Sequence, residues 1–213
     1  MMIGPEAYYE ERLNGKGIAE IEKEIRRLRR EISRLKKVIE HPEYVSTVRP
    51  SEDTVIWCDR LYLERAKHAL EDAGGTYVST EAEKRADKFQ ANISDICKLE
   101  LTIWCFDCKI KARSYTVCDE EIRFDVTDPF DVFDPELYDE DMDREGLFDA
   151  VANLHIGEWR RRYDPSRFGY EVLDGESWQL CIYYSDGKRK IEISGDNSYP
   201  YNFGDLLQLF CIE

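Results

Sequence analysis

From Ile18 to Ile39 the apolar residues Ile18, Ile21, Ile25, Leu28, Ile32, Leu35 and Ile39 return at alternating intervals of three and four. That spacing puts one apolar seam on a helix, in the a/d pattern of a coiled coil. Pro42 closes the run, and a second helix is expected after Pro50. Ser51 is its expected N-cap, and Val55, Cys58, Leu61, Tyr62, Ala66, Ala69, Leu70 and Ala73 form its apolar face. Gly74-Gly75 should stop it. The short connection between the two helices predicts an antiparallel hairpin that closes the seam inside one chain. A homodimer through the Ile18–Ile39 heptad is the competing use of that seam. A third helix is expected from Thr80, where Thr80 and Glu83 make a capping-box pair and Ala82, Ala86 and Phe89 turn inward.

Beyond Ile93 the period falls to two. Leu99, Leu101, Ile103 and Cys105 alternate with Glu100, Thr102, Trp104 and Phe106. A two-residue turn at Phe106-Asp107 would set Ile103 against Ile110, Leu101 against Ala112 and Glu100 against Arg113. Ile122, Phe124 and Val126 predict a third strand. Trp178, Leu180, Ile182 and Tyr184, then Asp186-Gly187, then Ile191 and Ile193 predict a second hairpin. Its turn should be type I′, with Ile182 opposite Ile191 and Leu180 opposite Ile193. Between the hairpins Phe148, Val151, Ala152, His155 and Trp159 fit one helix over 143–163, and Phe203, Leu206, Leu207 and Phe210 fit a last one over 202–210. The fold class that follows is α+β. A helical part, 1–95, holds the hairpin 18–41 and 51–73 and the third helix 80–91. A second part, 96–213, is an antiparallel sheet of five or more strands covered by helices.

Charge changes this picture most. The net charge is −15, yet residues 119–145 hold 13 acidic and 2 basic side chains, and residues 23–37 hold 8 basic and 2 acidic. A chain so negative repels nucleic-acid phosphates overall, so direct nucleic-acid binding is not expected despite the basic helix face. The acidic run interleaves Asp128, Asp131, Asp134, Asp139, Asp141 and Asp143 with the anchors Phe130, Phe133 and Tyr138. Carboxylates spaced in this way can imitate phosphates and engage a basic protein surface, above all that of a nucleic-acid-binding protein. No apolar run approaches the roughly 20 residues of a membrane span. Residues 1–11 carry no secretory pattern, so a cytoplasmic location with reduced cysteines is expected.

Nothing in the chain predicts catalysis, a cofactor or a metal. No phosphate-binding glycine loop or nucleophile elbow occurs. Cys97, Cys105, Cys108 and Cys118 lie at opposite ends of the expected first hairpin, too far apart to share one zinc ion. His155 and Glu158 are an isolated pair, and the acidic run lacks the central glycine and final glutamate of an EF-hand loop. A non-enzymatic binding protein is the resulting expectation.

The stretch Asp174, Gly175, Trp178, Leu180, Ile182, Tyr184, Asp186, Gly187, followed by Gly195, Asn197, Tyr199 and Pro200, gives the pattern D-G-x-x-W-x-L-x-I-x-Y-x-D-G and G-x-N-x-Y-P. It resembles a tail in uncharacterised proteins of gut Clostridia and related Firmicutes, and the opening I-G-P-E-A-Y-Y-E-E is similar to members with the same helical N-terminus. The resemblance implies a bacterial or phage origin and a shared fold. By analogy with small acidic proteins of mobile elements it also implies an anti-CRISPR-like inhibitor of a defence nuclease.

Overall fold

A computed structural model describes residues 3–105, 110–119, 121–126, 142–172, 174–187 and 189–212. The chain divides into two compact units, Met1–Ser79 and Thr80–Glu213.

The first unit is helical: α1 (Pro5–Arg12), α2 (Ile18–Ile39) and α3 (Glu52–Asp72). The heptad works as an internal seam. Ile21, Ile25, Leu28, Ile32 and Leu35 are buried, and Ile56, Tyr62, Leu63, Ala66, Ala69 and Leu70 of α3 are buried with them. The face of α3 is rotated from the expected one, since Ile56 and Leu63 replace Val55 and Leu61 at the seam. The aromatic pair explains the rotation. Tyr62 stacks on Tyr8 at 4.1 Å between ring centres, and its hydroxyl donates to the Ile3 carbonyl at 2.7 Å. Val55 and Leu61 are half-buried, and Ala73, expected on the same face, is exposed at the C-cap. Ser51 holds the N-cap position without a capping bond to the backbone. The stop at Gly74-Gly75 is a Schellman turn: Gly74 takes φ 80°, and the Gly75 amide donates to the Leu70 carbonyl at 2.8 Å.

The second unit opens with α4 (Glu81–Gln90), whose capping box forms as the sequence predicts. The Glu83 amide donates to Thr80 Oγ1 at 3.2 Å, and the Thr80 amide donates to Glu83 Oε2 at 2.8 Å. Phe89 is buried but Ala82 is exposed, because only the last turn of α4 meets the core. Then come β1 (Ile96–Trp104), β2 (Ile110–Cys118), β3 (Glu121–Val126), α5 (Arg144–Asn153), β4 (Arg162–Tyr163), β5 (Ser177–Tyr184), β6 (Lys190–Asp196) and α6 (Phe203–Leu209). The strands form one sheet in the order β3-β2-β1-β5-β6-β4. All neighbours are antiparallel except the two-residue β4, which lies parallel to β6. The α+β class therefore holds, with a mixed sheet.

One sheet face is covered. Leu99, Leu101 and Ile103 of β1 and Trp178, Leu180 and Ile182 of β5 share a core with Leu147 and Val151 of α5, Phe203 and Leu206 of α6, and Phe89. At about 1.5–3 kcal/mol for each fully buried large apolar side chain, this cluster is the chief stabilising term of the unit. The opposite face carries polar pairs such as Gln179 to Glu192 and Tyr183 to Glu100.

Three expectations need correction. The second hairpin has the expected register, Ile182 to Ile191 and Leu180 to Ile193, but its turn is not type I′. Gly187 takes φ 65° while Asp186 is not left-handed, and the Gly187 amide donates to the Tyr184 carbonyl at 3.0 Å. This is a type I turn followed by a left-handed glycine. The first hairpin is shifted by one residue: Leu101 faces Arg113, Leu99 faces Tyr115 and Ile110 pairs with Trp104. A one-residue slip reverses every side chain of β2. It brings Tyr115 and Arg113 onto the covered face, where Tyr115 packs edge-on against Phe210, and it leaves Ile110 exposed.

The expected helix 143–163 ends at Asn153. His155 takes φ 49° and a 3₁₀ turn, Ile156–Glu158, follows. Asn202 holds this break from both sides. Its Nδ2 donates to the Leu154 carbonyl at 2.9 Å, and its Oδ1 accepts from Trp159 Nε1 at 3.1 Å. Gly157 then passes so close to α4 that an added Cβ would lie 2.7 Å from Ala86 Cα. A continuous helix could not make that approach.

Candidate functional site: a cationic cavity on the sheet unit

Of the expected partner-binding residues, Asp128, Asp131, Asp134, Asp139, Asp141, Phe130, Phe133 and Tyr138 lie outside the described residues. Asp143 is described, and it has a local task. Its Oδ1 accepts the Gly146 amide at 2.7 Å and so caps α5. The ends of the acidic run are thereby defined: it leaves β3, at one edge of the sheet, and returns at the N-terminus of α5.

The isolated pair His155 and Glu158 does not share a helix face, because the left-handed His155 separates α5 from the turn that carries Glu158. Among the described residues no group of three or more His, Cys, Asp or Glu side chains could hold a metal ion. Cys97 lies beside the Cys118 end of the first hairpin and Cys105 at the other end, while Cys108 lies outside the described residues.

The C-terminal motif is a structural clasp between the start of β5 and the turn after β6. Asn197, at φ 47°, accepts the Glu176 amide on its Oδ1 and donates its own amide to the Glu176 carbonyl, both at 2.8 Å. An added Cβ at Gly175 would fall 1.7 Å from Asn197 Oδ1. Trp178 Nε1 donates to the Ser198 carbonyl at 2.9 Å, and a Cβ at Gly195 would stand 2.3 Å from that nitrogen. Tyr199 donates to Glu176 at 3.1 Å; burial and this carboxylate push its hydroxyl pKa upward. The motif residues thus explain one another, and the clasp fixes β6 beside β5.

Next to β6 is a cavity of about 390 Å³, bounded by α4, the Ile156–Glu158 turn and the β5–β6 hairpin. Its floor is apolar: Phe89, Ile156, Trp159, Tyr184 and Ile193 are all buried. Its rim carries Arg85, Lys88, Arg161, Arg189 and Lys190, and no carboxylate lines it among the described residues. The five cations are not equivalent. Arg189 is held by Asp186 at 2.5 Å and Asp95 at 3.1 Å, donates to Asn92 at 2.5 Å and lies 4.7 Å over the Tyr184 ring. It is a wall. Lys190 is paired with Glu192 at 3.0 Å. Among the described residues the side chains of Arg85, Lys88 and Arg161 make no hydrogen bond or ion pair. Burial raises the pKa of Tyr184, against the pull of Arg189 and Arg161, so its ring presents a neutral surface.

No family model, curated protein or solved structure matches the chain. The chemistry of the cavity must therefore be read from its own groups. It offers positive charge around an apolar floor. This arrangement suits binding of an anion. The residues concerned carry no sequence signature. Arg85 and Lys88 read as the solvated face of a short helix, and Arg161 sits in what reads as a helix end.

Proposed function

We propose that the protein is a non-enzymatic protein-binding module that engages a basic partner through its acidic stretch, residues 119–145. The observation that carries this reading is the concentration of charge. The stretch accounts for −11 of the molecule's −15 within 27 residues, and it begins and ends on elements of one sheet unit, β3 and α5. Dense negative charge of this kind complements a partner's cationic groove, and electrostatic complementarity steers and selects the encounter. In its most specific form the module is an anti-CRISPR-like inhibitor that competes with nucleic acid for that groove. Asp128, Asp131, Asp134, Asp139 and Asp141 supply the charge, and Phe130, Phe133 and Tyr138 supply the apolar anchors. Asp143 is set apart from this group because it caps α5.

The heptad speaks less for a self-associating scaffold, since its central residues Ile25, Leu28 and Ile32 are buried in the seam with α3. No described helix is long and apolar enough to cross a membrane.

The test replaces Asp128, Asp131, Asp134, Asp139 and Asp141 by Asn and keeps Asp143. The wild-type protein is expected to displace DNA from an RNA-guided nuclease at low salt and to lose that ability at high salt, while the Asn variant displaces nothing. Equal displacement by both proteins, or by neither, rejects the reading.

A further inference from the structure

We infer that the cavity between α4, the Ile156–Glu158 turn and β6 is a binding site for an organic phosphate, a phosphoryl group joined to a flat apolar body. The inference is independent of the acidic stretch. It rests on three observations.

The first is charge that the protein itself leaves unanswered. On α2 several cations meet acids, Arg26 pairing with Glu22, Arg27 with Glu24 and Arg34 with Glu31. Single cations such as Arg12 and Lys37 form no such pair among the described residues; the cavity differs in gathering several such cations at one opening. At the cavity Arg85, Lys88 and Arg161 have no such partner among the described residues. Three cations around one opening repel each other, and a dianion relieves that repulsion better than a single carboxylate does. Two of the three are guanidinium groups, whose planar fork matches phosphoryl oxygens two at a time.

The second is the floor. Trp159, Tyr184, Ile156 and Ile193 line the same cavity as the cations and give it an apolar surface. Inorganic phosphate alone would leave that surface uncovered, whereas an aryl or heterocyclic group attached to the phosphate covers it. A volume of about 390 Å³ falls in the range of small-molecule pockets, roughly 300–1,000 Å³.

The third is rigidity. Arg189 is fixed by Asp186, Asp95 and Asn92, Trp159 by Asn202, and Gly157 by its close approach to Ala86. A walled site loses little freedom when it is occupied. The three unpaired cations are the parts still able to close on a ligand.

The experiment is an NMR titration of the full chain, following the Trp159 indole N–H and the Gly157 amide. Phenyl phosphate and AMP are expected to shift both signals saturably, and inorganic phosphate to bind about tenfold more weakly or worse, because it leaves the floor bare. The triple variant Arg85→Gln/Lys88→Gln/Arg161→Gln removes exposed side chains without bonds, so its remaining amide spectrum should be unchanged. Its affinity for phenyl phosphate should fall by about tenfold or more. The inference is overturned if phenyl phosphate moves neither signal, if the triple variant binds it as the wild type does, or if inorganic phosphate binds equally well. A preference for a single-stranded oligonucleotide over both monoesters would also overturn it, in favour of a polyanion track.

Discussion

Asp59 sits in the helical unit where a charge is unwelcome. It is only 7% exposed, its Oδ2 has no hydrogen-bond partner among the described residues, and its carboxyl pKa is pushed up from 3.8 to about 6. Burial is the main cause; Arg27 pulls the value down, while Glu31 and Glu24 push it up again. The folded state therefore holds this proton more tightly than the unfolded chain does. Between pH 3.8 and about 6 the native protein keeps the proton that the unfolded chain has released, so stability falls as pH rises through that window and levels off above it. At one pKa unit per 1.36 kcal/mol, the cost at pH 7 approaches roughly 3 kcal/mol. Asp59→Asn is expected to recover about 1–2 kcal/mol of it at pH 7, the amide being as poorly bonded as the carboxyl. At pH 4 the variant and the wild type should unfold at nearly the same urea concentration. An equal gain at both pH values would show that the carboxyl's charge is not the cause.

At the scale of elements, the end of α6 shows how distant strands finish local structure. A helix leaves its last carbonyls without partners. Here Tyr115 of β2 donates to the Leu209 carbonyl at 2.9 Å. The Arg113 guanidinium, 2% exposed, donates to the carbonyl of Phe210 at 3.0 Å and to that of Cys211. Arg113→Met keeps the bulk but leaves two buried carbonyls unbonded, and is expected to cost about 2 kcal/mol. Hydrogen exchange should accelerate first at Phe210–Ile212, well before the β5–β6 ladder. Uniform acceleration would mean instead that Arg113 supports the whole sheet. The same contact explains what could be read from sequence. The α2 heptad, the Thr80–Glu83 box, the Gly74-Gly75 stop and the β5–β6 register were legible because each depends on residues close along the chain. The parity of β2 was not, since the carbonyls that select Tyr115 and Arg113 lie 94 or more residues away. Nor was the break after Asn153, which Asn202 holds from 48 residues downstream. The cavity was illegible for a related reason: Arg85 and Lys88 come from α4 and Arg161 from the segment before β4, and nothing marks any of them until the fold brings them to one opening.

At the scale of the molecule the charge belongs almost wholly to one unit. Residues 1–79 hold 15 acidic and 14 basic side chains, whereas residues 80–213 hold 30 and 16. The basic run on α2 thus leaves no net positive unit, because acids on the same helix and its neighbours balance it. Exposed pairs of this kind contribute at most about 1 kcal/mol each and are screened by salt. Both proposed activities, the acidic stretch and the cavity, lie in the second unit, which has its own core from Phe89 to Ile212. A fragment of residues 80–213 should therefore fold cooperatively by itself, since a unit with a complete core can do so. It should also keep the salt-sensitive displacement and the phosphate-dependent shift of Trp159. Residues 1–79, nearly neutral, should show neither. Calorimetry of each fragment, with the same titrations, checks this. If 80–213 melts without cooperativity, its core is incomplete alone. If it folds but loses displacement while keeping the Trp159 shift, the helical unit takes part in engaging the partner, and the acidic stretch is only half of that interface.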